Sequence, residues 1–424
     1  MNNTFLDVIV IGAGHAGLSI SYYLKKFNLN HIVFDQSRIG ESWRNQRWDS
    51  FKLNTPNKVN LLPGQENIFS DAEGFISASD FVSFLESYSK TFQLPVVEKC
   101  EVKSVENIPD SKEFSVHVSE NGSTRYYRCK QVVVASGAQN KKNIPSFAEN
   151  ISPEVIQLHA GEYRNSSLLP EGSILVVGSA QSGVQVAEDL INEGRKVFIS
   201  TSQVGRAPRR YRGKDIVDWL IITGFFDMQT INVTDPRIFM AKQVQISGVG
   251  VRGHTSSLQA LARNGAVILG KTENADVNTV FLQPNAAIHV KFADEISKQM
   301  KSMIDEYIQK SQLHTPPPEE DTADVPDETA VCASSLASLN LIENNITTII
   351  WTTGFVGDFS YLKLPIFNDD GMLKHYNGIS DIEGLYFIGL PWLRKRKSGI
   401  ILGIREDAEF IANKLLTHWK SQRP

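Results

Sequence analysis

Apolar positions along this chain fall into short β-branched runs separated by stretches with helical spacing. Phe5 to Ile11 (FLDVIVI) is such a run and reads as a buried strand. A glycine-rich turn follows, then a helix-like stretch from Leu18 to Phe27, then a second run, His31 to Phe34, ending in Asp35. That is strand–helix–strand order, the unit of a parallel sheet. The pattern returns at Ile174 to Val177, with a turn at Gly178 to Gly183, a helix over Val184 to Asn192 and a strand over Lys196 to Ser200. Between the two copies, Glu98 to Val105 and Glu113 to Val118 predict antiparallel strands, and Gln131 to Ala135 predicts a strand returning to the first sheet. Ile216 to Met228 predicts a buried helix plus turn. Phe292 to Gln312 carries helical spacing and leads into a proline- and acid-rich loop, Thr315 to Asp327. Thr347 to Trp351 and Leu385 to Ile388 predict further strands, and Arg405 to Trp419 a C-terminal helix. The expected fold class is α/β, with two dinucleotide-binding, Rossmann-like domains, the second inserted into the first. The expected boundaries are 1–164 with 336–424 for the first domain and 165–335 for the second.

Composition narrows the class without redirecting it. With 41% hydrophobic and 21% charged residues the chain reads as an ordinary globular protein. A net charge of −4 gives no sign of a nucleic-acid or anionic-membrane partner. Asp7 interrupts the first apolar run, so no secretory leader is expected, and no stretch reaches the ~18 apolar residues of a membrane span. Cys100, Cys129 and Cys332 lie far apart, which forms neither a disulfide framework nor a metal cluster and suits a reducing, cytoplasmic setting. A homodimer stays open.

The chemistry sits in the two turns. In Gly12-Ala13-Gly14-His15-Ala16-Gly17, Gly12 permits the tight turn, Gly14 lets backbone approach a pyrophosphate, and Gly17 lets the helix pack on the strand. An acid is expected ~20 residues on to bind ribose hydroxyls. Asp35 stands in that place, with Gln36 beside it. The second turn is Gly178-Ser179-Ala180-Gln181-Ser182-Gly183, with Ala180 where the middle glycine belongs. No acid ends its second strand; Ser200, Thr201 and Ser202 occupy that position, followed by Arg206, Arg209, Arg210 and Arg212. Hydroxyls and guanidinium groups accept a 2′-phosphate that an acid would repel, so NADPH is expected over NADH, with Arg206 and Arg209 as readers. The competing reading of these arginines is a solvated basic turn. Ala135-Ser136-Gly137 and Thr352-Thr353-Gly354 each follow a strand and mark crossings between the domains.

Several segments resemble the flavin-containing monooxygenases (class B flavoprotein monooxygenases), in particular a bacterial branch related to plant indole-pyruvate monooxygenases and often described as flavoproteins of ion transport. The resemblance rests on Gly40-Glu41-Ser42-Trp43-Arg44, Trp48-Asp49-Ser50, Leu53-Asn54-Thr55-Pro56, Trp351-Thr352-Thr353-Gly354-Phe355, and Gly389-Leu390-Pro391-Trp392-Leu393 through Gly399. It covers nearly the whole chain. The family's motif between its domains is degraded here to residues 153–163, where His159 and Tyr163 survive.

The resemblance implies FAD at the first turn and NADPH at the second. It implies flavin contacts from Ser42, Trp43, Trp48, Asn54 and Thr55, and a cofactor set extending to Val102, Ala135, Gly137, Thr353, Gly354, Gly389 and Leu390. It also implies O2 as co-substrate, a flavin C4a-hydroperoxide as oxygenating species, and Asn54 as the catalytic residue lying over the flavin. Trp43 and Trp48 can equally be packing residues, Asn54 a turn residue before Pro56, and His159 a hinge. Without a CxxC pair the electrons have no disulfide to reach. Three functions follow: oxygenation of a small molecule at nitrogen, sulfur or a keto acid; Baeyer–Villiger oxygenation of a ketone; and a nucleotide-loaded sensor with little turnover.

Overall fold

The computed structural model describes residues 4–66, 68–120 and 122–422. Strand β1 (Thr4–Ile11), helix α1 (His15–Lys26) and strand β2 (His31–Phe34) form the first strand–helix–strand unit. β1 lies between β2 and β3 (Ser123–Val134), parallel to both, with Ile9 level with Ile32 on one side and Val132 on the other. The residues Val8, Ile9 and Val10 are fully buried, as a strand covered on both faces requires. The antiparallel strands Cys100–Asn107 and Phe114–Glu120 extend β3 as a ribbon.

The second sheet is wholly parallel. Its spatial order is β7 (Val267–Leu269), β6 (Val197–Ser200), β5 (Ser173–Val177), β8 (Ile346–Trp351) and β4 (Ile156–His159). Helix α2 (Gln181–Asn192) follows β5, and α4 (Ala286–Ser311) follows β7 after a small antiparallel sheet. Between β6 and β7 lies α3 (Ile216–Ile222), which buries Trp219 completely. The chain ends in α5 (Ile401–Ser421), which packs against α1.

One expectation about the boundaries changes. Residues 347–351 do not return to the first sheet: β8 pairs with β5 and β4, both in the second. The chain re-enters the first sheet only at β9 (Leu385–Phe387), beside β3. The second sheet's strands therefore begin before residue 164 and end after residue 336. An apolar β-branched run such as ITTIIW suits the interior of either parallel sheet, so its composition could not say which one it joins. The outbound and returning chains run side by side, Lys141–Lys142 pairing antiparallel with Phe355–Val356.

Candidate functional site

Strand register assembles the first cradle. Ile11 is level with Phe34 and with Val134, so Gly12, Asp35 and Ala135 stand together at the carboxyl edge of the sheet. Gly12 has φ +104°, and a Cβ there would lie 2.6 Å from the Ala135 carbonyl oxygen. Gly14 differs. Its φ of −77° suits any residue, and a Cβ would meet no protein atom within 4 Å. The space above Gly14 is thus open for a ligand, at the amino end of α1 where backbone N–H groups favour a phosphate. Asp35 accepts hydrogen bonds from the N–H groups of Ala13 (2.7 Å) and Ser37 (2.8 Å), tying the end of β2 to the turn. Desolvation nonetheless pushes its carboxyl above the usual range.

His15 is half-buried, its Nε2 enclosed with no partner among the described residues, and desolvation pulls its imidazole down to about 4, so it stays neutral. Gly389 abuts Ala16, which brings the Gly389-Leu390 segment onto the same turn. Gly137 borders open space as well. Gln36 is exposed beyond Asp35, and Val102 is buried in the apolar core of the ribbon. Trp43 and Trp48 pack against aromatic neighbours, Trp43 edge-on to Phe81 at 5.0 Å and Trp48 edge-on to Phe51 at 5.1 Å, while Ser42 is exposed.

The second cradle repeats this plan. Val177 is level with Ser200 and with Trp351, and Gly178 has φ +114°. Thr352 stands where Ala135 stands in the first cradle, its hydroxyl donating to the Val177 carbonyl (2.8 Å) and 2.6 Å from where a Gly178 Cβ would be. Ala180 has φ −72° and ψ −174°, matching Gly14 at −77° and −176°, so its methyl group replaces hydrogen without disturbing the turn. Thr353 and Gly354 sit one step farther along. The Thr353 hydroxyl bonds the Asn143 carbonyl, and the Gly354 carbonyl accepts from His159 Nε2 at 2.8 Å. The His159 Nδ1 accepts from the Gly161 N–H, so both ring nitrogens are spent and burial lowers its pKa. His159 thus ties the crossing at Gly161 to the Gly354 carbonyl.

The arginines are placed otherwise than the sequence suggested. Arg206 is buried and bonded to Asp294 (2.8 Å), Asp324 (2.8 Å) and Ser297 (3.1 Å). Arg209 and Asp215, each with a side chain only 2% exposed, form a two-pronged pair at 2.8 and 2.5 Å. Neither guanidinium is free to read a 2′-phosphate: a buried cation must spend its donors on carboxylates, here supplied from α4, from the 315–327 loop and from six residues along the chain. The Ser200 and Thr201 hydroxyls are likewise buried and turned to backbone carbonyls of the neighbouring strand and its exit, Gly270 (2.9 Å) and Leu269 (2.7 Å).

Asn54 lies where the two halves meet. Arg209 donates to its backbone carbonyl (3.0 Å), and Gln185 of α2 donates from Nε2 to its side-chain oxygen (2.8 Å). Gln185 Nε2 also donates to the Ile246 carbonyl at 2.7 Å. A carbonyl accepts only from a donor, so Gln185 must present nitrogen there, and Asn54 must present its oxygen to Gln185. The Asn54 amide nitrogen is thereby left as an oriented donor with no partner among the described residues. Thr55 is locked by Asn60, whose amide donates back to the Thr55 carbonyl at 2.9 Å. Sequence reasoning missed Gln185, Asp215 and Asn60. A single polar residue among Val184, Val186 and Ala187 on the buried helix face was the available signal for Gln185.

The cysteines do not pair with one another. Cys100, Cys129 and Cys332 are all free, and burial pushes Cys100 up to about 11 and Cys129 higher. Among the described residues no helix is long and apolar enough to cross a membrane.

Comparison with known proteins places the chain in a family. A family model described as pyridine nucleotide-disulphide oxidoreductase matches residues 9–269. The chain is 32% identical over 416 residues to a Geobacillus kaustophilus protein named "uncharacterized oxidoreductase CzcO-like", covering 97% of this chain and 99% of that one. It is 24% identical to the "probable indole-3-pyruvate monooxygenase YUCCA3" of Arabidopsis thaliana, covering 98% and 87%. Its fold is that of a flavin-containing monooxygenase from Stenotrophomonas maltophilia, with a TM-score of 0.63, 17% identity, and coverage of 98% and 99%. The chain belongs to the pyridine nucleotide-disulphide oxidoreductase family and is an oxidoreductase whose cofactors are FAD and NADPH.

Proposed function

We propose that the chain is a monooxygenase that inserts one atom of O2 into a small organic substrate, with FAD at the first glycine turn and NADPH at the second, each turn belonging to its own Rossmann-like half. The observation that carries this reading is the Asn54 amide, which hangs from the first half's loop and is aimed by Gln185 of the second half's helix. The names of the Arabidopsis and Stenotrophomonas relatives support oxygenation, and the three free, separated cysteines argue against disulfide reduction.

Bound FAD supplies the transfer of electrons from NADPH and the activation of O2. The protein's own groups do the rest. Gly14 leaves room for the pyrophosphate, Gly12 and Gly17 let the turn and helix close up beside it, Asp35 would hold the ribose end, and the Gly178 to Gly183 turn would take the pyrophosphate of the second nucleotide. Asn54 would offer its amide N–H to the bound cofactor, and a preorganised donor of this kind needs no reorganisation during reaction. The buried Arg209–Asp215 pair fixes the backbone of the Asn54 loop. The buried side chains of Leu53, Trp48 and Phe51 keep water away from that loop.

Among substrates, Arg396 favours a carboxylate such as a keto acid over a neutral ketone. Its guanidinium lies 3.9 Å from the ring centre of Phe225 and 5.2 Å from that of Trp392, has no carboxylate partner among the described residues, and has a pKa lowered by burial. A panel of keto acids, amines, sulfides and ketones, scored for NADPH consumed and for product and H2O2 formed, tests the proposal. Product in step with NADPH supports it. Consumption yielding only H2O2 across the panel, or reduction of an added disulfide, overturns it.

A further inference from the structure

The register of the second sheet creates a cationic site that neither the glycine turn nor the buried arginines use. Ser200 ends β6 level with Leu269 of β7, so Thr201 and Ser202 emerge beside Gly270 and Lys271. Ser202 sits directly against the nucleotide turn: its N–H donates to the Ser179 hydroxyl at 3.0 Å. Lys242, from the loop that follows α3, reaches the Ser202 hydroxyl at 3.1 Å. His289 of α4 faces the same edge, its Nδ1 2.9 Å from the Thr201 hydroxyl.

Among the described residues neither Lys242 nor Lys271 forms a salt bridge, in a chain where most other cations near the cleft do. The ammonium of Lys242 is held below its ordinary pKa first by desolvation and then by Lys271, and His289 is lowered by burial and by the same two lysines. Two lysines that repel one another, neither in a salt bridge among the described residues, make a site that a doubly charged anion would relieve, with the neutral His289 ring beside it.

The end of the second strand is where a dinucleotide's adenosine ribose lies in this architecture. We propose that Ser202, Lys242 and Lys271 form the pocket that binds the 2′-phosphate of NADPH, the task the sequence had assigned to Arg206 and Arg209. This rests on the reading that the second glycine turn holds the nicotinamide dinucleotide. The Ser202 hydroxyl offers a neutral hydrogen bond, Lys242 a charge-assisted one, and Lys271 a second positive charge from the adjacent strand exit, while the Ser202 backbone stays tied to Ser179.

The test is binding to the FAD-loaded enzyme, measured by calorimetry with NADP+, NAD+, adenosine 2′,5′-bisphosphate and AMP. Lys242→Gln should weaken NADP+ and the bisphosphate about ten-fold and leave NAD+ and AMP unchanged, because one charge-assisted bond to phosphate is lost. Lys242→Arg should restore most of the loss, and Lys271→Gln should add to it. The dependence of NADP+ affinity on salt should become shallower in Lys242→Gln, which a merely structural role for Lys242 would not produce. If wild type prefers NADP+ but Lys242→Gln, Lys271→Gln and their double variant keep the preference, this pocket is refuted while NADPH use stands. If wild type binds NAD+ and NADP+ equally, both the pocket and the NADPH assignment fall.

Discussion

Removing the side chain of Asn54 should uncouple the enzyme without unfolding it. The loop is held by contacts that Asn54→Ala keeps: Arg209 bonds the backbone carbonyl, and Thr55 remains tied to Asn60. Gln185 retains its bond to Ile246 and loses only one acceptor, so the stability cost should be about 1 kcal/mol. The functional cost is larger. Losing one preorganised donor at a reacting centre removes roughly 2.7–4 kcal/mol, or 10²–10³ in rate. A hundred-fold loss turns a partition of about ten to one in favour of product into about one to ten in favour of H2O2. NADPH oxidation by the variant should continue near the wild-type rate, because electron transfer to FAD does not need that amide. The assay is simultaneous measurement of NADPH, product and H2O2 with a substrate found in the panel above. Gln185→Glu is an independent probe: a carboxylate must accept from Asn54, which turns the donor away, and it should uncouple too. An Asn54→Ala enzyme that stays fully coupled would refute the role of this amide, and one that has simply lost FAD would make Asn54 an anchor instead.

Three further outcomes are expected. Gly14→Val should abolish FAD binding while the thermal unfolding of the apoprotein stays close to wild type, since a Cβ at Gly14 meets no protein atom and the backbone there is unstrained; retention of one FAD per chain would show that the pyrophosphate lies elsewhere. Arg209→Ala should act on stability, leaving Asp215 buried without its cation at a cost of about 3–5 kcal/mol, read as a fall in Tm of roughly 5 °C, with the ratio of NADPH to NADH efficiency unchanged; a selective rise in KM for NADPH would revive the arginine as phosphate reader. His254 donates to Glu188 at 2.7 Å, and this hydrogen bond raises its pKa above the ordinary 6.5. A raised folded-state pKa means stabilisation that is fully present below about pH 6.5 and is lost as pH climbs through the raised value. Urea midpoints should therefore fall over that window in wild type and stay flatter in Glu188→Gln; parallel slopes would show that this pair contributes nothing.

The parts of the fold that could be read from sequence were those fixed by local pattern. Both strand–turn–helix–strand units lie where the apolar runs and glycines put them, and Phe5 to Ile11 and Ile174 to Val177 are interior strands of their sheets. Partner choice between sheets was not local: β8 joins the second sheet through pairing with residues 156–159 and 173–177, far away along the chain. The same limit governs the site. Arg206 and Arg209 look like phosphate readers when only their neighbours in sequence are visible, and lose that role because Asp294, 88 residues on, and Asp324 and Asp215 claim their donors. Lys242 shows the reverse. Nothing around it in sequence marks it, and only the fold brings it to Ser202, 40 residues away. Asn54 stood out from its loop, but the direction of its amide comes from Gln185, 131 residues distant.

The central claim is that electrons from NADPH split O2 so that one atom enters substrate. The measurement that meets it most directly is a reaction under labelled oxygen, ¹⁸O2, with NADPH consumption, O2 uptake and product mass followed together. The account predicts one NADPH and one O2 consumed for each product molecule, with one ¹⁸O atom retained in the product or in the fragment an oxygenated keto acid yields. Product without label, or O2 recovered entirely as H2O2 with every substrate class, would contradict it.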